Sequence, residues 1–408
     1  MIVKKIQLNQ FRNYKVQEIM ASPGINVIYG DNAQGKTNIL EAIYLCACAR
    51  SHRTARDTDL IFHQSGQYAV KVDYDCLNGS SESIEIRYFD AIIGDPQRIR
   101  PVRQIYHNGI RLDRIGDMMG LFHAVIFAPE DLMLVKEGPS TRRRYLDLLI
   151  SQVRPSYFVH LQQYARILTQ RNKLLKELRD QGFGRKKKPD EKCALQIDVW
   201  NDALAREGAI LIRQRQNFCD RIAQIALTAQ QKISSGKEEL YVKYRTTPGV
   251  DTNNSENEIY ISYLEKLKTM VCDDIEKGLT AAGPHRDDLE LSLDGSGLKP
   301  FASQGQQRSA VLALKLAELT ILREDTGETP VFLLDDVMSE LDESRRTSLL
   351  ENIQNAQVFV TCTDAEQLVR EMSKNSLNEA DLADTGLTFF LIEKGQVKAR
   401  GNHPDSDK

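Results

Sequence analysis

The sequence predicts an α/β head, mixed sheets with flanking helices, into which a second and mainly helical lobe is inserted. A glycine-rich turn between a strand-like and a helix-like segment at residues 25–49 marks the head. A change of texture from Ser140 onward marks the lobe, and short apolar strands resume after Gly283. At 408 residues the chain can carry two cores, at roughly 100–200 residues per domain. The expected divisions are a head segment at 1–129, the lobe at 130–282, a second head segment at 283–400 and a polar tail at 401–408.

Element by element, Ile2 to Leu8 alternates apolar and polar residues, and Ile25 to Tyr29 is a buried strand. Ile39, Ala42, Ile43 and Ala47 recur at helical spacing within Asn38 to Ala49. Tyr68 to Cys76 and Ser83 to Phe89 alternate around Asn78-Gly79, and a second hairpin signal is centred on Asn108-Gly109. His123 to Phe127 is one more strand. Helical stripes then begin with Leu146, Leu149, Ile150 and Val153. They break at Gly182, Gly184 and Pro189, then resume over Ala194–Ile233 and Ile259–Lys277. In the last third, strands are expected at Leu289–Leu293, Val331–Leu334, Val358–Val360 and Thr388–Ile392. Helices are expected at Ser309–Leu322, Ser344–Ile353 and from Ala365. An insertion of this length could reach roughly 100 Å at most as an out-and-back hairpin. Its broken pattern predicts a compact lobe instead.

Composition narrows the function classes. The 41% hydrophobic and 27% charged content is that of a soluble globular protein. No run approaches the ~20 apolar residues of a membrane span, and the first ten residues lack the apolar core of a secretory signal. Seven scattered cysteines form no C-x-x-C and join no histidine pair, which predicts reduced, packed thiols and a cytoplasmic location. The net charge of −3 gives no global pull toward nucleic acid. Any such binding must come from local patches: Arg50/Arg53/Arg56, Arg98/Arg100/Arg103, Arg142-Arg143-Arg144 or Arg185-Lys186-Lys187-Lys188.

Chemistry is concentrated in five segments. Gly30-Asp31-Asn32-Ala33-Gln34-Gly35-Lys36-Thr37 matches the P-loop spacing in the strand–turn–helix context that the motif needs. Its glycines let backbone N–H groups curl around phosphate oxygens, and the following helix N-terminus adds a positive field. Lys36 is expected on the β- and γ-phosphates of ATP, and the Thr37 hydroxyl on Mg²⁺. Val331-Phe-Leu-Leu-Asp335-Asp336 supplies the companion strand, with Asp335 on the metal through water and Asp336 where a base for the attacking water belongs.

The third segment, Ser303-Gln304-Gly305-Gln306-Gln307, reads two ways. Ser303-x-x-Gln306 is a capping box, and the same capped start offers free N–H groups and a hydroxyl to an anion held by another protomer. The fourth and fifth, Ser339-Glu340-Leu341-Asp342 and Thr361-Cys362-Thr363-Asp364, lie where a dimer-contacting loop and a γ-phosphate switch would sit. Either one reads equally as a helix cap when taken alone.

Together with Leu8 to Tyr14, Ser51 to Thr54 with Asp57, Phe127 to Leu132, Gly138-Pro-x-x-Arg-Arg-Arg144 and Gly283 to Leu289, these segments resemble the RecF family. That family is the DNA-repair branch of the SMC/Rad50-like ABC ATPases. The resemblance implies an ABC-type P-loop ATPase head and an ATP-dependent homodimer. In it, Ser303, with Gly305 and Gln306, reaches the γ-phosphate on the partner's P-loop, while Arg12 approaches the phosphates.

The resemblance also implies a clamp on DNA near gaps and junctions of duplex with single strand. It implies work with RecR and RecO in loading RecA, and slow DNA-stimulated hydrolysis. Asp336 stands where ABC heads usually have glutamate, and the histidine common at the switch is replaced by the Thr361–Thr363 region. A glutamine of the Q-loop is not evident; Phe127 to Asp131 is its expected region. An ordinary P-loop kinase or GTPase would need an acceptor pocket or an N-K-x-D guanine reader, and a nuclease-linked head a further acidic metal centre. None of these is evident. The remaining alternative is an ATP-switched protein-interaction module with no DNA role.

Overall fold

The computed structural model describes residues 1–63, 65–90, 100–338, 341, 345–347, 349, 356–374 and 387–401. Its first stretch runs Ile2–Phe11 (β1), Tyr14–Met20 (β2), Ile25–Tyr29 (β3), Lys36–Cys48 (α1), Gln67–Asp75 (β4), Ser81–Phe89 (β5), Val102–His107 (β6), Ile110–Leu112 (β7) and Ala124–Phe127 (β8). The middle stretch is Met133–Lys136 (α2), Pro139–Val153 (α3), Pro155–Asp180 (α4), Glu191–Ile233 (α5), Leu240–Arg245 (β9), Glu256–Thr269 (α6), Val271–Lys277 (α7), Asp288–Leu293 (β10), Ser296–Gly297 (β11) and Leu298–Phe301 (α8). The last is Gln304–Thr326 (α9), Val331–Asp335 (β12), Val358–Cys362 (β13), Ala365–Lys374 (α10), Thr388–Glu393 (β14) and Gln396–Gly401 (β15). The expected helix Ser344–Ile353 falls largely outside the described residues, as do Arg98 and the tail beyond Gly401.

The chain divides into two compact units. The head comprises Met1–Met133, Ile225–Glu239 and Ser303–Lys408. It holds two sheets. One is antiparallel, in the order β2-β1-β4-β5-β6-β7; the other runs β15-β14-β3-β13-β12-β8, with β14, β3, β13, β12 and β8 parallel. Helix α1 packs on strands of both sheets, which explains why its sequence is apolar nearly all round. The hairpin at Asn108-Gly109 has positive φ at both residues (50° and 79°), the requirement of a type I′ turn.

The second unit, Leu134–Gln224 with Leu240–Ala302, corrects the expected boundary at 282/283: the head resumes at Ser303. The segment assigned to the returning head, Leu289 to Leu293, instead pairs with β9 and β11 in a three-stranded antiparallel sheet of this unit. Leu240, Val242 and Tyr244 alternate inward beside Leu289, Leu291 and Leu293. The lobe is therefore not helical throughout. Its helical core brings Leu175 and Leu178 of α4 against Ile197 of α5 and Ile275 of α7.

Candidate nucleotide site

The phosphate loop leaves the C-terminal end of β3, a strand flanked by β13 and β14 in the parallel sheet. Open α/β sheets place ligands at the carboxyl ends of their strands. Both loop glycines are obligatory. Gly30 has φ +139°, and a Cβ there would lie 2.5 Å from the Ile392 carbonyl oxygen. Gly35 has φ +113°, and a Cβ would lie 2.4 Å from Asn13 Nδ2. Ala33 also holds a positive φ of 63°.

The loop is clamped from outside by a residue of the Leu8–Tyr14 segment to which the sequence assigns no role. Asn13, in the β1–β2 turn, donates from Nδ2 to the Gln34 carbonyl (2.7 Å) and accepts at Oδ1 from Asn38 Nδ2 (2.8 Å). Tyr14 donates to the Gly35 carbonyl at 3.0 Å. The Lys394 N–H meets Gln34 Oε1 at 2.6 Å, and the Gly395 N–H meets the Gln34 carbonyl at 3.2 Å. The curvature that exposes the loop's N–H groups is thus held by β1–β2 and β14–β15.

Lys36, 8% exposed, folds its ammonium back onto the Gly30 and Asp31 carbonyl oxygens at 2.6 and 2.9 Å. Burial lowers its pKa, while the nearby charges of Asp336, Cys362, Asp335 and Asp31 act in the opposite sense. On the facing side, Asp335 Oδ1 accepts from the Thr37 hydroxyl at 2.9 Å and from the Thr361 hydroxyl at 2.8 Å. Burial raises the Asp335 pKa, opposed by those two donors. Asp336 follows with φ +53° and an exposed side chain.

One ligand atom each of His52, Glu130 and Asp335 lies within 4.8 Å of the others. Glu130 occupies the turn expected to hold the Q-loop, so a carboxylate, not a glutamine, faces the acidic strand end. Partial burial raises its pKa, and Asp335 adds to the rise. The Thr37 hydroxyl bonded to Asp335, with the Glu130 carboxylate close to Asp335, supplies hard-oxygen donors of the kind Mg²⁺ takes; His52 beside them is a nitrogen donor that such an ion does not need. The residues fit that ion.

Ser303 caps α9. Its Oγ accepts from the Gln306 N–H at 3.2 Å, and Gln306 Oε1 accepts from the Ser303 N–H at 2.9 Å. Ser303 is exposed, and of the two readings of this segment the structure displays the capping box. Gly305 has an ordinary backbone; a Cβ there would come within 3.3 Å of the Arg345 guanidinium, whose Nε binds Ser309 Oγ at 2.6 Å. Further along α9, the buried Lys315 is paired with Asp131 (3.2 Å) and Glu318 (3.1 Å), which ties the helix to the turn that carries Glu130.

Several expected residues have other occupations. Arg12 grips the buried Glu41 with its guanidinium at 2.8 and 2.7 Å and the Asp59 carbonyl at 2.7 Å. Asp364 accepts from the Gln367 N–H at 2.9 Å, the helix-cap alternative, and Thr363 is exposed. Ser339, Glu340 and Asp342 lie outside the described residues.

Among the basic patches, Arg142 is bidentate to Asp288 (2.8 and 2.9 Å), and Arg143 binds the Asp287 carbonyl at 2.6 Å. Arg103 is tied to the Ala49 carbonyl and Asp57, and Arg185 is paired with Asp273 at 2.6 Å. Arg53 reaches Glu130 at 3.7 Å. Among the described residues, no helix is long and apolar enough to cross a membrane.

Residues 2–380 match the family model described as RecF/RecN/SMC N terminal domain. A DNA replication and repair protein RecF of Acetivibrio thermocellus is 42% identical over 368 residues, 90% of this chain and 94% of that one. The RecF of Ruminiclostridium cellulolyticum is 40% identical over 397 residues, covering 97% and 99%. A solved structure of the recombination mediator protein RecF with ATP, in the RecFOR pathway, superposes with a TM-score of 0.82 at 34% identity, covering 98% of this chain and 97% of that one. An Smc head domain from Pyrococcus furiosus shares the fold alone, at 16% identity and a TM-score of 0.52. With its P-loop, paired acidic strand end and capped α9 on that head, the chain belongs to the RecF family of DNA replication and repair proteins, ABC-type ATPases of the RecF/RecN/SMC group.

Proposed function

We propose that ATP closes two copies of this chain head to head and that the closed dimer holds DNA at gaps and duplex–single-strand junctions. With RecO and RecR it then promotes loading of the RecA recombinase. The observation that carries this reading is the exposed Ser303 cap at the start of the 23-residue helix α9, a second anion seat on a head whose own P-loop already serves a nucleotide.

Within one head, Lys36 exchanges the Gly30 and Asp31 carbonyls for β/γ-phosphate oxygens. The loop N–H groups from Asp31 to Thr37 surround the phosphates, aided by the geometry that Asn13 and Gln34 fix. Thr37, Asp335 and Glu130 hold Mg²⁺, which when bound neutralises charge on the β/γ-phosphates. Across the dimer, the Ser303 hydroxyl and the Gly305 N–H receive the γ-phosphate of the partner's nucleotide, while Gln306, whose N–H is donated to Ser303 Oγ, holds that hydroxyl in place. Asp336 orients the attacking water; its side chain is one methylene shorter than glutamate, which suits slow turnover and a timer-like switch. Arg12 acts through Glu41 on the first helix, not on phosphate.

Sedimentation of wild type and Ser303→Arg, each with and without ATP and Mg²⁺, tests this. Wild type is expected to pass from monomer to dimer only with ATP. Ser303→Arg is expected to bind ATP and remain monomeric, because its side chain fills the phosphate seat. A variant that dimerises like wild type removes the composite site.

The alternative of a protein-interaction module without DNA gains weight from Arg142, Arg143 and Arg185, which are engaged by the protein itself. A clamp touching several phosphates loses DNA affinity steeply with salt. No DNA binding at low salt with ATP present leaves the protein-interaction reading.

A further inference from the structure

Thr361 lies on β13 directly beside Asp335 of β12 in the parallel register, and is 1% exposed. Its hydroxyl is fully committed. It donates to Asp335 Oδ1 at 2.8 Å and accepts from the Asp336 N–H at 2.8 Å. One oxygen atom therefore touches both acidic residues at the strand end. The second contact falls at an uncommon conformation: Asp336 has φ +53°, in the left-handed region that few non-glycine residues adopt. A backbone N–H held from below is what keeps such a conformer populated. Asp335 Oδ1 meanwhile takes two hydroxyl donors, from Thr37 and Thr361, so its other oxygen is the one left for a cation's coordination shell.

We propose that Thr361 is a positioning residue for the nucleotide-associated metal and for Asp336, through its hydroxyl alone. Removing that hydroxyl takes one of the two donors from Asp335 Oδ1 and orphans the Asp336 N–H. Metal binding and turnover then fall together, while contacts of the P-loop to the phosphates are untouched. The inference rests on the reading of this site as one for ATP with a divalent cation.

Thr361→Val keeps the volume and removes the hydroxyl; Thr361→Ser keeps the hydroxyl and removes the methyl. In the full-length protein, Mn²⁺ binding by electron paramagnetic resonance in the presence of a non-hydrolysable ATP analogue reports the metal. Nucleotide affinity in excess chelator reports the P-loop alone. Thr361→Val is expected to weaken Mn²⁺ about tenfold and to slow ATP turnover by at least as much, corresponding to about 1.4 kcal/mol. Its metal-free nucleotide affinity stays within about twofold, since Lys36 and the loop remain in place. Thr361→Ser is expected to restore both losses.

Wild-type Mn²⁺ affinity and turnover in Thr361→Val overturn the proposal, as does a serine variant as defective as the valine variant, which shows that the hydroxyl alone does not sustain the site. Should Thr361→Val not fold, Thr361→Cys carries the same comparison, because a thiol is only a weak donor. Wild-type protein that binds no Mn²⁺ with nucleotide overturns the underlying site reading, a result distinct from a wild type that binds and a valine variant that binds equally.

Discussion

The head and the lobe both bury ionic groups, but they give them different partners. In the head, the Lys36 ammonium rests on two carbonyl oxygens and the Asp335 carboxylate on two hydroxyls. In the lobe, Arg171 and Asp274 are both 0% exposed and meet at 2.8 Å, and Arg215 is bidentate to Asp147 at 2.9 Å. A buried charge held by neutral dipoles is incompletely compensated, and it gains most when a ligand of opposite sign arrives. One held by a counter-ion is already served and acts on folding. The head itself contains the second kind, in Arg12 with Glu41 and Lys315 with Asp131 and Glu318, and neither of those groups faces the phosphate loop's carbonyls. Partner type, more than burial, separates site from scaffold here.

Lys36→Met gives the sharpest break of this contrast. The loop loses the cation proposed for the β/γ-phosphates, while what its ammonium gives up in the protein is hydrogen bonds to two carbonyl oxygens. ATP affinity is expected to fall by about 10³-fold or more, on the order of 4 kcal/mol, with folding stability changed little. Equilibrium binding of a fluorescent ATP analogue, beside a thermal melt, reads both. Unchanged affinity would remove Lys36 from the site.

Arg171→Met is the mirror experiment. It leaves Asp274 buried without its cation, and breaking such a pair costs about 3–5 kcal/mol. Trp200, the only tryptophan, belongs to the lobe, so its fluorescence during urea unfolding reports that unit. The lobe transition is expected to move to much lower urea, with ATP affinity of the folded protein retained. A variant as stable as wild type would mean that Asp274 is protonated and served by the Ala281 N–H that it already accepts.

The same contrast explains what could be read without coordinates. Gly30, Gly35, Lys36 and Thr37 are legible because phosphate cradling needs those residues within one turn, and Asp335 because a buried strand ends in it. Ser303 was legible as a cap through Gln306, three residues away. Asn13 was not, since a single asparagine in a tight turn carries no spacing signal and its partners Gln34 and Asn38 lie more than twenty residues along. Arg142 and Arg143 displayed charge but not their partners, Asp288 and the Asp287 carbonyl, which are 146 and 144 residues distant. The boundary at 302 was hidden for a related reason. The alternation of Leu289, Leu291 and Leu293 is a strand signal that names no sheet, and Leu240 to Arg245, its partner, follows a 43-residue helix. Arg12 differs again: the sequence places it near the loop, and the structure shows its guanidinium held by Glu41 on α1, a partner 29 residues along that no spacing signal indicates.

Acid titration gives the smallest expected effect and sharpens the comparison inside the lobe. His285 donates from Nε2 to the Thr280 carbonyl at 3.0 Å and accepts at Nδ1 from Tyr164 at 2.7 Å, so both ring nitrogens are satisfied by the neutral tautomer. Burial pushes its pKa down to about 4 from 6.5; the Thr280 bond opposes this, and the charges of Arg286, Arg143 and Arg171 assist it. Between those values the unfolded chain binds a proton that the folded lobe refuses. Stability is therefore fully present above pH 6.5 and is lost as pH falls toward about 4, with a slope of at most about 1.4 kcal/mol per pH unit for this one group. Tyr164, Tyr263 and the Ala282 carbonyl beyond it form a neutral hydrogen-bonded chain from the ring, and the charges that reach it, those of Arg286, Arg143 and Arg171, all oppose the protonated form. His285→Gln can still donate to Thr280 but cannot take a proton. Followed by Trp200 fluorescence, the stability advantage of wild type over this variant is expected to shrink steadily from pH 7 to pH 4. A difference that stays constant across that range would show that His285 enters the folded lobe protonated, its charge carried by Tyr164 and Thr280 alone.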